Sequence, residues 1–440
     1  MRGYIIVLFS ILTFSGCFTS SKISNRNLSY IYTKESGILH PKFIVFHISD
    51  TISRIYYLIN SKELLYSREN DKQEFTANFA FSYRLYQSLE SKELLDSASK
   101  QHLIPAYKNP EFIGTRSANA QDYSYRQISK TGQQIINYID FKAGSPNTYL
   151  LEAAVFDIKR NQTAKTFINI DKRTKFNRQN FLIESQAKET PVFSENITSN
   201  EYFSIHCNDP YMSALFVGYF KMNFPISLPP FSVESQKSLF MSRDSAFVLQ
   251  FSDSNIATFQ LQKDGVYHFQ IDTVIEDGLT LFRYYDDFPK VTSVEQLIEP
   301  LRYITTKQEY EEMLNHENKK TALDNFWLKA TGNPDRGKHL IREYYNRIQD
   351  ANEFFTSYME GWKTDRGMIY IVYGIPDIVY KSSASEIWIY GEENNLMSLN
   401  FAFDKISNSF TDNDYVLNRS PIYKSSWYNA VEAWRQGIVY

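Results

Sequence analysis

The sequence predicts a multidomain chain. One or two N-terminal antiparallel β-sandwich domains are followed by an α+β C-terminal domain, a helical cluster plus a small antiparallel meander. Three observations predict this. The chain has 440 residues, more than one hydrophobic core usually holds. Aromatic residues make up 16%, with 32 Tyr and 33 Phe, an excess that suits pleated sheets and stacked side-chain layers. The hydrophobic period also changes, from 2 to helical spacing at about Thr292 and back to 2 after Gly367. A composition of 43% hydrophobic and 22% charged residues is globular, not disordered. The net charge of −3 gives no electrostatic footing for nucleic acid or an anionic membrane surface.

The chain opens with "MRGYIIVLFSILTFSGC". Arg2 precedes an apolar run from Tyr4 to Phe14 that is too short to span a bilayer and suits a signal-peptide core, residues 1–16. Ser15-Gly16 before Cys17 resembles a bacterial lipoprotein lipobox. The resemblance implies cleavage before Cys17 and lipidation of its thiol and new amino group. Residues 17–27 then form a short polar tether, and the lipid on Cys17 is the expected membrane anchor. With Cys17 acylated, Cys207 is the one thiol left, so no intramolecular disulfide is available. Cys207 ends the alternating run "EYFSIHC" and reads as a buried residue at a strand end.

Residues 28–185 read as the first sandwich, next to the anchor. "KFIVFHI", "SRIYYLI", "EFTANFAFSYRLYQ", "TYLLEAAVFDI" and "KTFINI" are β-branched, aromatic and largely alternating. Asn161-Gln162 sits where a hairpin turns. Residues 191–289 read as a second β domain. Its strongest signal is "ATFQLQKDGVYHFQID", with Asp264-Gly265 as a hairpin turn and Tyr267, Phe269 and Ile271 alternating with His268 and Gln270. Pro225, Pro229 and Pro230 mark a crossover or linker, because proline cannot continue a central strand.

Residues 292–440 read as the α+β domain. Thr292 with Glu295, and Thr306 with Glu309, stand at capping-box spacing. Pro334 suits a helix start, and Ile341, Tyr345, Ile348, Asn352 and Phe355 trace the inner stripe of that helix. The stretch "EGWKTDRG" follows, and then "MIYIVYG", "EIWIYG" and "MSLNFAF" read as the three strands of the meander.

These last residues resemble the bacterial GWxTD-domain family, common in Bacteroidetes-type envelopes. Gly361, Trp362, Thr364 and Asp365 carry its defining letters. Arg366, Gly367, Tyr370, Gly374, Pro376 and Asp377 extend the likeness downstream, as do Arg347, Ala351, Asn352 and Phe355 upstream. The likeness is strong over residues 292–440 and implies a lipoprotein of the cell envelope. It implies no chemistry, since the family motif has no established activity.

Two readings of the motif stand side by side. Asp365 and Arg366, with Arg347, could bind a polar ligand at a cleft. The same residues could form a corner in which Asp365 accepts backbone N–H groups, Arg366 or Arg347 neutralises it, and Gly367 adopts a backbone conformation closed to other residues. Trp362 and Trp388 suit the core or a sugar-stacking surface. Gly374-x-Pro376 is a turn, because one glycine before a proline cannot cradle a phosphate. None of the seven His falls in a zinc-binding pattern, and no nucleophile elbow or Walker loop is present. No cofactor and no metal are expected. The expectation is a lipid-anchored protein of the outer membrane, facing the periplasm, that acts as a non-enzymatic binding or scaffolding component for an envelope-protein partner. The alternatives are a binding module for glycan or peptidoglycan fragments and a hydrolase using Asp365.

Overall fold

A computed structural model describes residues 27–34, 38–68, 70, 74–88, 93–105, 134–197, 200–209, 211–233, 242–252, 255–331 and 334–438. Cys17 and the signal-peptide and tether residues before Asn27 lie outside the described residues.

The first unit contains β1 (Lys42–His47), β2 (Ile52–Asn60), β3 (Tyr66–Ser67), β4 (Thr76–Tyr86), β5 (Leu94–Pro105), β6 (Gln134–Lys142), β7 (Thr148–Asp157) and β8 (Gln162–Asp171). The sheet β1-β2-β6 faces a second sheet, β3-β4-β7-β8, with β5 on the other side of β4. The alternation of β4 supplies Phe79, Phe81, Tyr83 and Leu85 to the core between them. Tyr57 of β2 stacks on Phe81 with ring centroids 4.1 Å apart. Asn161 takes the positive φ that the β7–β8 turn requires. β5 and β6 go beyond the strands read from sequence. β5 is a half-exposed edge, with Leu94, Leu95 and Leu103 on the surface, so no clean apolar alternation marks it.

The second unit contains β9 (Phe181–Ser185), β10 (Thr190–Pro191), β11 (Asn196–Ile197), β12 (Phe203–Cys207), β13 (Ala214–Phe220), β14 (Ser245–Gln250), β15 (Ile256–Phe259), β16 (Gly265–Gln270) and β17 (Leu279–Arg283). Sheet β10-β9-β12-β15 packs on sheet β11-β17-β16-β13-β14. β9 therefore pairs within this unit, although its sequence follows the strands of the first. Leu182 of β9 joins the units by packing on Ile44 and Tyr56. Cys207 is buried at the end of β12. Asp264-Gly265 is not a hairpin turn as expected, because β15 and β16 belong to different sheets. It carries the chain from one layer of the sandwich to the other.

β16 also departs from the alternation read for it. Tyr267 and Phe269 enter the sandwich core, but Val266, His268 and Gln270 on the opposite face are buried as well. The third unit covers that face. Phe410 meets the His268 ring at 5.1 Å and the Phe220 ring at 5.3 Å. Val266, Phe282, Tyr284 and Phe288 share a core with Tyr358 and Met359.

The third unit has α1 (Val294–Ile298), α2 (Lys307–Asn315), α3 (Lys319–Thr331), α4 (Pro334–Phe355), α5 (Asp365–Tyr373) and α6 (Lys424–Arg435). It also has β18 (Ile378–Lys381), β19 (Ser385–Tyr390), β20 (Leu399–Lys405) and β21 (Tyr415–Leu417), an antiparallel meander of four strands. The capping box of α2 is Thr306 with Glu309, as expected. That of α1 is Ser293 with Gln296, one residue beyond the expected pair. The inner stripe of α4 is Leu340, Tyr344, Ile348, Ala351, Asn352 and Phe355, with Ile341 and Tyr345 at its half-buried margin.

The main correction concerns "MIYIVY". These residues are not a strand but the body of α5. Met368 to Val372 are buried on every side of the helix, so no period of 2 or 3.6 survives in the sequence. The helix start is nonetheless coded. Thr364 is its N-cap, and its Oγ1 accepts from the Gly367 N–H at 3.0 Å.

A second correction concerns the N-terminal segment. Residues 27–34 pack in the third unit, not in the first sandwich. Leu28 N donates to the Val379 carbonyl at 2.9 Å, Tyr32 is 4% exposed in the helical core, and Lys34 pairs with Asp350 and Glu353. Among the described residues, no helix is long and apolar enough to cross a membrane.

Candidate functional site

The motif joins α4 to α5. Between them the backbone makes one 3-10 turn, Gly361–Lys363. Helix ends leave N–H and C=O groups without intrahelical partners, and here they are buried. Side chains of the motif meet that demand. Asn352 is fully buried; its Oδ1 accepts from Trp362 N (3.2 Å) and its Nδ2 donates to the Pro289 carbonyl (3.0 Å). Thr356 Oγ1 accepts from Gly361 N at 2.9 Å. Thr364 Oγ1 donates to the Gly361 carbonyl at 2.7 Å while capping α5. Lys363 O accepts from both N and Oγ of Ser227, on the proline-rich crossover, at 3.1 and 2.8 Å.

The two glycines serve close approach. A Cβ on Gly361 would lie 1.9 Å from the Ala351 carbonyl oxygen, and one on Gly367 would lie 1.8 Å from that of Gly361. The end of α4, the turn and the start of α5 are therefore stacked backbone on backbone. Gly367 has no positive φ, so the conformational role expected of it is replaced by a steric one. Gly374 does have a positive φ, +86°, and caps the C-terminus of α5 directly against the Arg347 guanidinium. Arg347 bonds Glu343 at 2.9 Å and lies 5.0 Å from the Trp434 ring. The turn from Gly374 through the buried Pro376 leads into β18, and Tyr390 OH donates to the Gly374 carbonyl at 2.9 Å.

Asp365 and Arg366 were expected to pair, or Arg347 to serve Asp365. Neither pairing occurs. Neighbours in a helix point about 100° apart, and each of the two finds a different partner. Asp365 Oδ2 accepts from Leu417 N at 2.7 Å, and both of its oxygens accept from Arg419. The Arg419 guanidinium also donates to the Leu228 carbonyl at 3.2 Å. Arg366 donates to Glu386 at 3.2 Å and to the Asn413 carbonyl at 3.0 Å, with its guanidinium 4.0 Å from the Tyr415 ring.

Glu386 is the hub of the second cluster. It is fully buried and accepts from Tyr32 OH, from Trp388 Nε1 (2.7 Å), from Arg366 and from Lys381 (3.2 Å). Burial opposes its charge, but Lys381, Arg366 and the two hydrogen bonds outweigh burial and hold the carboxyl below the usual range. Tyr32, beside it, has its phenol pushed far up by burial and by that carboxylate. Tyr370 closes the network by donating to the Tyr32 carbonyl at 3.1 Å.

The structure therefore gathers Asn352, Gly361, Trp362, Thr364, Asp365, Arg366, Gly367 and Tyr370 at one joint. Trp388 is reached through Glu386, and Arg347, Gly374 and Pro376 stand at the far end of α5. Trp362 (3% exposed) and Trp388 (0%) are core residues. Asp365 and Arg366, each 2% exposed, are buried against their partners. Sequence reasoning missed Arg419, Glu386, Asn413 and Tyr32. Glu386 carried a signal, since strand parity puts it on the same face as Trp388. Arg419 and Asn413 carried none. Among the described residues, no group of three or more His, Cys, Asp or Glu is placed to hold a metal ion.

No curated protein matches the chain. Residues 265–436 match the family model of the GWxTD domain, so the matched region starts at β16 and includes the face of the second sandwich on which the third unit rests. The C-terminal part of the chain is thus similar to the GWxTD domain, and the matched stretch contains the joint from Asn352 to Tyr370.

Proposed function

We propose that the chain is a lipid-anchored envelope protein, held by Cys17 in the outer membrane with its folded units facing the periplasm, and that it is a non-enzymatic binding or scaffolding component. One observation carries the non-enzymatic part. Each charged group of the motif is closed off by another inside the fold: Asp365 by Arg419 and Leu417 N, Arg366 by Glu386 and Asn413. A working carboxylate must reach a substrate proton or a water, and Asp365 is 2% exposed with both oxygens occupied. That arrangement counts against the hydrolase alternative. The burial of Trp362 and Trp388 likewise takes these two rings away from any sugar-stacking role.

The anchor rests on the sequence around Cys17 alone. Its test is incorporation of labelled fatty acid into the protein in its native host, with Cys17→Ala as the comparison. The reading expects label in the parent and none in the variant; an unlabelled parent contradicts it. The scaffolding role predicts that cross-linking in intact cells followed by affinity purification recovers a specific envelope protein. Recovery of the chain alone contradicts it.

A further inference from the structure

We propose that the tip of the β19–β20 hairpin, through Leu396 and Met397, with Ile375 at the same end of the sheet, is a lipid-contacting finger that enters the bilayer holding Cys17. The inference rests on the lipid-anchored reading above and goes beyond it by fixing which end of the domain faces the membrane. Leu396 is 101% exposed and Met397 is 91% exposed. A single exposed apolar side chain needs no explanation, but two consecutive ones at a structured tip do. The tip is built to project them. Met397 N donates to Asn395 Oδ1 (2.9 Å), Ser398 N to the Asn395 carbonyl (3.0 Å) and Ser398 Oγ to the Glu392 carbonyl (2.8 Å).

The point where the tether enters the fold lies at the same end of the sheet. Asn27 Nδ2 donates to the Asp377 carbonyl at 2.7 Å, and Asn27 Oδ1 accepts from Val379 N at 3.0 Å. The carboxylate of the same Asp377 accepts from Gly391 N, the first residue of the hairpin loop, at 2.7 Å. Pairing of Ile378 with Ile389 sets the start of β18 against the end of β19. Ile375, 46% exposed, lies in the turn that precedes Asp377. Asn27 is ten residues from Cys17 in sequence, so even a fully extended tether reaches at most about 35 Å. An acylated Cys17 therefore keeps the hairpin end of the sheet near the bilayer. The opposite end, residues 406–414, lies against the second sandwich, where Ser409 Oγ meets Glu276 at 3.3 Å. The second β unit then points away from the membrane.

The surface best matches a bilayer with zwitterionic headgroups. Glu392 and Glu393, exposed at the base of the tip, would repel anionic lipid. A contact of two side chains is also too small to hold the chain alone, and the acyl anchor supplies the attachment.

The test uses the full acylated chain bound to phosphatidylcholine vesicles. An environment-sensitive fluorophore is placed on Met397→Cys or on Val274→Cys, the latter 87% exposed beside Glu276 at the far end; Cys207 is buried. The expected result is a blue shift and quenching by spin-labelled lipid at position 397, and neither at position 274. Leu396→Asp in the Met397→Cys background is expected to reduce both signals. An acylated, vesicle-bound chain with unshifted emission at 397 overturns this inference and leaves the anchor reading standing. A mature chain whose mass lacks the acyl groups overturns both.

Discussion

The first sandwich and the GWxTD joint both bury large aromatic side chains, yet they satisfy their backbones by different means. In the sandwich, β4 pairs along its length with β5 and with β7, so the ladders themselves absorb N–H and C=O groups. Its core can then be plain layers, such as Tyr57 on Phe81. At the joint, two helix ends and a turn converge, and no ladder is available. Asn352, Thr356, Thr364 and Asp365 take over that task, and two glycines let the backbones touch. A sandwich core tolerates changes of size, whereas a joint depends on particular atoms.

Four substitutions or conditions break or sharpen this contrast. Gly361→Ala has the largest expected effect. The added methyl meets main chain of α4, which cannot move aside as a side chain would, and a loss of at least about 4 kcal/mol is expected. Expression trials and limited proteolysis would show residues 265–436 unfolded. Glu386→Gln comes next, because it leaves Arg366 and Lys381 beside a neutral group in the core; a loss of about 3–5 kcal/mol is expected in urea titrations. Its pH dependence has a definite sign. The folded carboxyl titrates lower than the unfolded one, so its stabilisation is present above the unfolded pKa of about 4.3 and disappears as pH falls through the folded value. The Gln variant lacks that component.

The sandwich has its own acid response, at a higher pH. His47, buried against Ser53 and the Asp171 carbonyl, is pushed down to about 4, chiefly by burial. It is neutral in the fold, so its contribution is complete above the unfolded pKa of about 6.5 and is lost as pH falls toward 4. The expected slope is at most about 1.4 kcal/mol per pH unit, and His47→Gln should flatten it. Ile55→Val, in the fully buried layer of β2, is the smallest change, at about 1 kcal/mol.

The same contrast explains what was legible in the sequence. Alternation marks strands whose two faces differ, so Phe79, Phe81, Tyr83 and Leu85 announce β4. It fails for β5, where the edge is half-exposed, and for β16, where a second unit covers the polar face. It fails again for α5, buried all round, although Thr364 and Gly367 at capping spacing held the helix signal. The motif letters were readable as a joint. Their partners were not: Arg419 is 54 residues from Asp365, and Tyr32 is 354 from Glu386. No local pattern connects groups so far apart, and only the packed fold brings them together.

The central claim is that Asp365 belongs to a buried joint and not to a binding surface. A double-mutant cycle on Asp365→Asn and Arg419→Met, read by urea denaturation of the C-terminal domain, tests it most directly. The joint predicts a loss of about 3–5 kcal/mol for each single variant and a double-variant loss clearly below their sum, because each single change strands a buried charge and the pair removes both. Single variants as stable as the parent, or single losses that simply add in the double variant, would contradict it.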